Sequence, residues 1–122
     1  FYHPDPAICI KVIEACSAGG AKCIEFTNRG DYASYTFLEV ARHFDKVDPS
    51  VIMGVGSIVD APTAGLYIAN GAKFVVGPIL NADVAKVCNR RKIPYSPGCG
   101  SAIALLPSCP EPPGCRPAPS GD

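Results

Sequence analysis

The sequence predicts a parallel α/β fold, and three observations carry that expectation. Four short runs rich in apolar, β-branched and aromatic residues begin near positions 22, 51, 74 and 93. One segment of helical spacing separates each run from the next, the alternation that requires parallel pairing and right-handed crossovers. Breakers then stop the runs where such a chain must turn, at Gly54-Val55-Gly56-Ser57, Gly77-Pro78 and Pro97-Gly98.

Taken in order, the chain opens with a helix between Pro6 and Ser17. Cys9, Val12, Ile13 and Cys16 recur there as an apolar stripe, Lys11 and Glu14 lie opposite, and Gly19-Gly20 ends it. Lys22 to Thr27 reads as the first strand, with a turn at Asn28-Arg29-Gly30. A helix from Tyr32 to His43 follows, aligning Phe37, Val40, Ala41 and Phe44, and Pro49 closes that segment. Val51 to Met53 is the second strand. Asp60 N-caps the next helix with Pro62 in its first turn, and Asn70-Gly71 is its stop. Phe74 to Val76 is the third strand. Asn81 caps a helix carrying Val84, Val87 and Cys88 on one side, with Arg90, Arg91 and Lys92 at its negative end. Ile93 to Ser96 is the fourth strand.

Composition narrows the classes of function. The 122 residues give room for one domain, and 11 basic side chains balance 11 acidic ones, so no charge excess points to nucleic acid or an anionic membrane. No apolar stretch reaches the length of a membrane span, and Phe1-Tyr2-His3-Pro4 is not the opening of a signal peptide, so the expected location is cytoplasmic. The seven cysteines follow no disulfide or metal spacing; Cys9 and Cys16 read as small core hydrophobes. Cys99, Cys109 and Cys115 lack the CxxC pair or nearby His that a zinc site needs, and no metal is expected.

Two architectures fit the alternation, a doubly wound open sheet and a segment of a (β/α)8 barrel. Gly54-Val55-Gly56 does not begin a dinucleotide fingerprint, because its third glycine would fall at Val59. Strand alternation places Cys23, Glu25 and Thr27 on one face and Ile24 and Phe26 on the other, with the carboxylate directed inside. A buried Glu25 is either neutralised by Arg29 or a lysine, or serves as a general base near a barrel mouth. Arg29, two residues past the strand, has the fork to hold a carboxylate or phosphate, and otherwise is a solvated turn residue. Ser57, Gly77-Pro78 and Pro97-Gly98 also lie at carboxyl ends of strands, the rim where barrel enzymes build their sites.

The series Ile24-Glu25-Phe26-Thr27-Asn28-Arg29-Gly30, Gly54-Val55-Gly56-Ser57, Val76-Gly77-Pro78 and Ile93-Pro94-Tyr95-Ser96-Pro97-Gly98 resembles the successive strand ends of 2-keto-3-deoxy-6-phosphogluconate (KDPG) and 4-hydroxy-2-oxoglutarate (KHG) aldolases. The resemblance covers residues 1 to about 101. It implies a partial (β/α)8 barrel holding strands two to five, with Phe1-Tyr2 at the end of the first strand, and a homotrimer in the intact family. It implies a class I aldolase that needs no cofactor or metal, in which a lysine forms a Schiff base with a keto acid and the carbon–carbon bond breaks to give pyruvate and an aldehyde. Glu25 corresponds to the proton-shuttling glutamate and Arg29 to the residue gripping the pyruvate carboxylate. Ser57 stands where threonine is common. Thr27, Pro78, Pro97 and Gly98 fall in the substrate-binding set.

One departure bears on activity. After Pro97-Gly98 the family continues to a strand bearing the Schiff-base lysine, whereas residues 102–122 turn into a proline- and cysteine-rich tail with six prolines in the last sixteen residues. That composition suits neither a helix nor a central strand, so an aldolase domain over 1–101 and a disordered, non-homologous tail are expected. The lysines present, at 11, 22, 46, 73, 86 and 92, offer no replacement. The expected function is therefore KDPG/KHG-type aldol cleavage by family, with this chain inactive; a noncatalytic half-barrel that associates with a partner is the alternative.

Overall fold

A computed structural model of the chain describes residues 1–100. The tail expected to be irregular, 102–122, lies outside the described residues. Eight elements alternate: α1 (Pro6–Ala18), β1 (Cys23–Thr27), α2 (Ala33–Val47), β2 (Ile52–Gly56), α3 (Ala61–Ala69), β3 (Val75–Gly77), α4 (Ala82–Arg91) and β4 (Tyr95–Pro97).

Local chemistry sets the element ends. Asp60 accepts from the Thr63 amide at 2.8 Å and from its hydroxyl at 2.9 Å, capping α3. Asn81 caps α4 through the amides of Asp83 and Val84. A third cap, Asp5 on the Ala7 amide, starts α1 one residue ahead of Pro6. Gly71 ends α3 with φ +101°, a left-handed conformation that glycine adopts without strain.

The strands form one sheet in the order β1-β2-β3-β4, and each pairing is parallel. Cys23 pairs with Ile52, Glu25 with Gly54 and Thr27 with Gly56, while Val75 stands between Val55 and Tyr95. The free side of β1 is flanked by the first residue: the Phe1 amino group donates to the Glu25 carbonyl at 2.9 Å, and the Thr27 amide donates to the Phe1 carbonyl at 2.8 Å. That is the hydrogen-bond pair of a parallel bridge opposite Phe26.

Successive helices pack on one another over one face of the sheet. Ile24, Phe26, Met53, Val55 and Val75 bury against Cys9, Ile13, Phe37, Val40, Phe44, Tyr67, Val84 and Cys88. Each fully buried Phe or Ile among them stabilises the fold by roughly 1.5–3 kcal/mol.

Three expectations are corrected. Cys16 and Val12 are exposed, so the buried line of α1 is Cys9 and Ile13. Their i, i+4 spacing gives a stripe narrower than the four-residue pattern suggested, in keeping with α1 making its main helix packing against α2. The fourth strand is Tyr95–Pro97 rather than Ile93–Ser96, because the Ile93 amide is committed to the Cys88 carbonyl at the end of α4. Glu25 is exposed rather than buried, although it lies on the face opposite Ile24 and Phe26 that alternation assigns it: that face of the sheet carries no helix among the described residues.

Candidate functional site

The carboxyl ends of β1 and β2 bring three polar side chains together. Glu25 leaves the strand on the face opposite Ile24 and Phe26. Its carboxylate lies against the α-carbon of Gly56, where any Cβ would collide with Oε1. Arg29 sits in the turn between β1 and α2, and its Nε donates to Ser57 Oγ at 3.2 Å. Neither Glu25 nor Arg29 makes an ion pair among the described residues. A carboxylate neutralised by Arg29 is thus not the arrangement found; the arginine spends one donor on a hydroxyl.

Ser57 adopts φ 61°, a left-handed backbone that is costly for a non-glycine residue. The surroundings hold it there, since the Ile58 amide is tied to the Val76 carbonyl and the Asn28 amide to the Gly56 carbonyl. Thr27, half-buried on the Glu25 face, contributes its carbonyl to the Arg29 amide at 3.0 Å.

Pro78, Pro97 and Gly98 form a second group at the ends of β3 and β4. The Gly98 amide donates to the Gly77 carbonyl at 2.8 Å, and its α-carbon rests on the Pro78 carbonyl so closely that a side chain has no room. Tyr95 braces this loop from below: its hydroxyl donates to the Ile79 carbonyl at 3.0 Å and accepts from the Asn81 amide at 3.2 Å.

Asn28, Tyr67 and Tyr95 were not singled out in the sequence. Tyr67, fully buried on α3, donates to Asn28 Oδ1 at 2.8 Å across a separation of 39 residues. Burial, and to a lesser degree the neighbouring Tyr2, push its hydroxyl up to about 12, so it stays a donor through the physiological range. A polar residue next to Arg29 was the available signal, but its partner lies two elements away.

At the opposite end of the strands a cleft of about 370 Å3 is lined by residues that include Glu14, Ser17, Lys22, Phe44 and Asp48. The Lys22 ammonium bridges Ser17 Oγ and Asp48 Oδ2, a clamp joining the ends of α1 and α2 to the residue before β1. The strand-end cluster, not this cleft, gathers the acid, the fork and the hydroxyl.

Comparison with known proteins decides the family. The model of the KDPG and KHG aldolases matches residues 5–108. The chain belongs to the KDPG and KHG aldolase family. That match runs past the compositional break near residue 101, into residues outside the described ones. The 2-dehydro-3-deoxy-phosphogluconate aldolase of Treponema pallidum is 29% identical over 96 residues, covering 79% of this chain and 44% of that protein. The KDPG aldolase of Zymomonas mobilis superposes with a TM-score of 0.75 at 25% identity, covering 87% of this chain and 49% of that one. The Legionella pneumophila enzyme, whose structure holds pyruvate as a covalent carbinolamine, superposes at 0.77 with 22% identity over 88% of this chain and 50% of that one; its likeness speaks to the fold. The chain spans about half the length of the relatives it matches. Its four parallel strands and four helices are the α/β layer of an aldolase barrel in part, and the uncovered Glu25 face is the side such a barrel turns inward.

Proposed function

We propose that this chain carries the keto-acid end of a class I aldolase site, the site that in the whole protein cleaves 2-keto-3-deoxy-6-phosphogluconate to pyruvate and glyceraldehyde 3-phosphate. The observation that carries this reading is the Arg29 Nε to Ser57 Oγ hydrogen bond at the strand ends, with the Glu25 carboxylate at the adjoining Gly56. An arginine held by one donor keeps its terminal nitrogens for a planar carboxylate, and the Ser57 hydroxyl lies within reach of the same ligand. Glu25 is placed to relay protons to and from a carbinolamine on the open face. In this reading Thr27 belongs to the floor of the site, and Pro78, Pro97 and Gly98 to its wall. The 2-dehydro-3-deoxy-phosphogluconate aldolase of Treponema pallidum and the KDPG aldolase of Zymomonas mobilis, to which the chain is similar, support a keto acid as ligand.

Catalysis of this class needs an amine to form the imine that withdraws electrons from the breaking bond. Lys22, Lys73 and Lys86 are paired with Asp48, Asp45 and Asp83. Lys11 and Lys46 lie on α1 and α2, and Lys92 ends α4. We therefore read the chain as binding the keto acid without cleaving substrate. A cytoplasmic homotrimer is the setting proposed for the whole protein. Among the described residues no helix is long and apolar enough to cross a membrane.

The test has two arms. A pyruvate titration followed by NMR should shift the Arg29 and Ser57 resonances, and Arg29→Ala should abolish the response; no response in the unaltered chain would overturn the reading. Incubation with pyruvate and borohydride should leave all six lysines unmodified by mass spectrometry. One trapped lysine, with pyruvate released from substrate, would show that the chain is active.

The bare face bearing Cys23, Glu25 and Ile52 favours a second reading, a noncatalytic half-barrel that docks on a partner half. Size-exclusion chromatography distinguishes them: a monomer at all concentrations speaks against self-association.

A further inference from the structure

We propose that Tyr67 is a positioning residue for the keto-acid site, its hydroxyl holding the Asn28 side chain and so fixing the turn that aims Arg29 at Ser57. The proposal rests on the carboxylate-binding role given to Arg29. Its geometry begins with a difficulty: Arg29 is exposed and sits in a short turn between β1 and α2, where a long side chain ordinarily samples many rotamers. Three hydrogen bonds restrain its first two residues, Asn28 and Arg29. The Asn28 amide donates to the Gly56 carbonyl at 3.0 Å, the Arg29 amide to the Thr27 carbonyl at 3.0 Å, and Tyr67 holds the Asn28 side chain at 2.8 Å.

The first two bonds tie the turn to its own strand and to β2; only the third reaches the helical layer. Tyr67 is suited to anchor because it cannot move. It is 1% exposed, and its ring meets Phe37 edge-on at 5.2 Å, which in turn meets Phe26 of β1 at 5.8 Å. A column of aromatic rings thus runs from the strand that carries Glu25, through α2, to α3, and returns through one hydroxyl to the residue before Arg29. Asn28 is the joint: its amide fixes β1 to β2 and its side chain fixes both to α3. Since the Gly56 carbonyl that receives Asn28 adjoins Ser57, displacement of Asn28 disturbs both ends of the Arg29–Ser57 bond.

The experiment uses the full chain, pyruvate as probe and the Nε–Hε signal of Arg29 as a direct reporter. Tyr67→Phe keeps the ring packing and removes the hydroxyl. It should raise the pyruvate Kd roughly 3- to 10-fold, the worth of one buried hydrogen bond, and move the Arg29 Nε–Hε signal toward that of free arginine. Asn28→Ala should do the same, and the double variant should lose little more, because both changes sever one link. Should Tyr67→Phe not fold, Asn28→Ala carries the test. An unchanged Nε–Hε signal in the variants, even with a lower melting temperature, would mean that Tyr67 only stabilises the fold and would overturn the proposal. If the unaltered chain binds no pyruvate, the proposed function fails instead, and the Nε–Hε signal still decides whether Tyr67 positions Arg29.

Discussion

The Glu25 carboxylate occupies the space that a side chain at Gly56 would need. Strand pairing alone sets Glu25 opposite Gly54 and Thr27 opposite Gly56, so the glutamate leans one step toward the strand end to reach this place. Glycine at 56 is thus a condition for the acid to lie beside Ser57, independent of any demand on backbone conformation.

Gly56→Ala should therefore redirect Glu25 without unfolding the protein. The colliding atoms are the far end of a flexible, exposed side chain, so the cost to stability should stay below about 1 kcal/mol by chemical denaturation. The Glu25 carboxyl carbon shift in NMR should change. An unmoved shift would mean that the methyl is accommodated by the backbone instead.

Gly98→Ala should behave in the opposite way. Its α-carbon meets the backbone carbonyl of Pro78, which is fixed by the loop that Tyr95 braces, so the methyl has no flexible group to push aside. Forcing β4 away from the Pro78 loop should cost about 1–3 kcal/mol. A urea midpoint unchanged from that of the parent chain would contradict this.

These two glycines show what was legible in the sequence. The alternation of Cys23-Ile24-Glu25-Phe26-Thr27 placed every side chain of β1 on the side where the structure has it, because a period of two leaves no freedom once Ile24 and Phe26 are buried. The capping roles of Asp60 and Asn81 were readable from their position before an apolar run. Exposure of Glu25 was not readable, since alternation assigns a face but not what covers it. Nor was the exposure of Val12 and Cys16, which depends on how α1 is tilted against α2. The Tyr67–Asn28 link joins residues 39 apart, and nothing in either local pattern announces it.

Acid should weaken the clamp at the other end of the sheet. The Ser50 hydroxyl foremost, then the Lys22 ammonium and the Ser17 hydroxyl, hold the Asp48 carboxyl down from 3.8 to about 2. A folded-state pKa below the unfolded one means that the stabilisation is present above 3.8 and is lost as pH falls through about 2. Urea midpoints measured from pH 5 to pH 2 should fall more steeply for the parent chain than for Asp48→Asn. Parallel curves would show that ionisation of Asp48 contributes nothing to folding.

Base should act through Tyr67 with the opposite sign. Its pKa is raised from 10.0 to about 12, so its contribution is complete below 10.0 and is lost as pH rises through about 12. Ionisation also turns the donor to Asn28 into an acceptor facing an acceptor. Tyr67→Phe should flatten the alkaline arm of the stability curve, and an arm as steep as the parent's would assign the loss to another group.

Ser57 sets stability against ligand binding at a single position. Its φ of 61° is a conformation that glycine adopts freely, so Ser57→Gly should relieve strain and, allowing for the added freedom of the unfolded chain, raise stability by up to about 1 kcal/mol. The same change deletes the hydroxyl that accepts from Arg29 Nε, leaving the guanidinium free to swing into solvent. Pyruvate affinity should fall as the fold becomes firmer. Ser57→Ala separates the two effects, because it removes the hydroxyl while keeping the strained backbone: it should lose affinity as the glycine variant does, yet gain no stability. Denaturant midpoints and NMR titrations on the three chains give the comparison directly. If both variants bind pyruvate as the parent does, the Arg29–Ser57 hydrogen bond is incidental to the ligand, and the strain at residue 57 must answer to the packing of Ile58 beneath it.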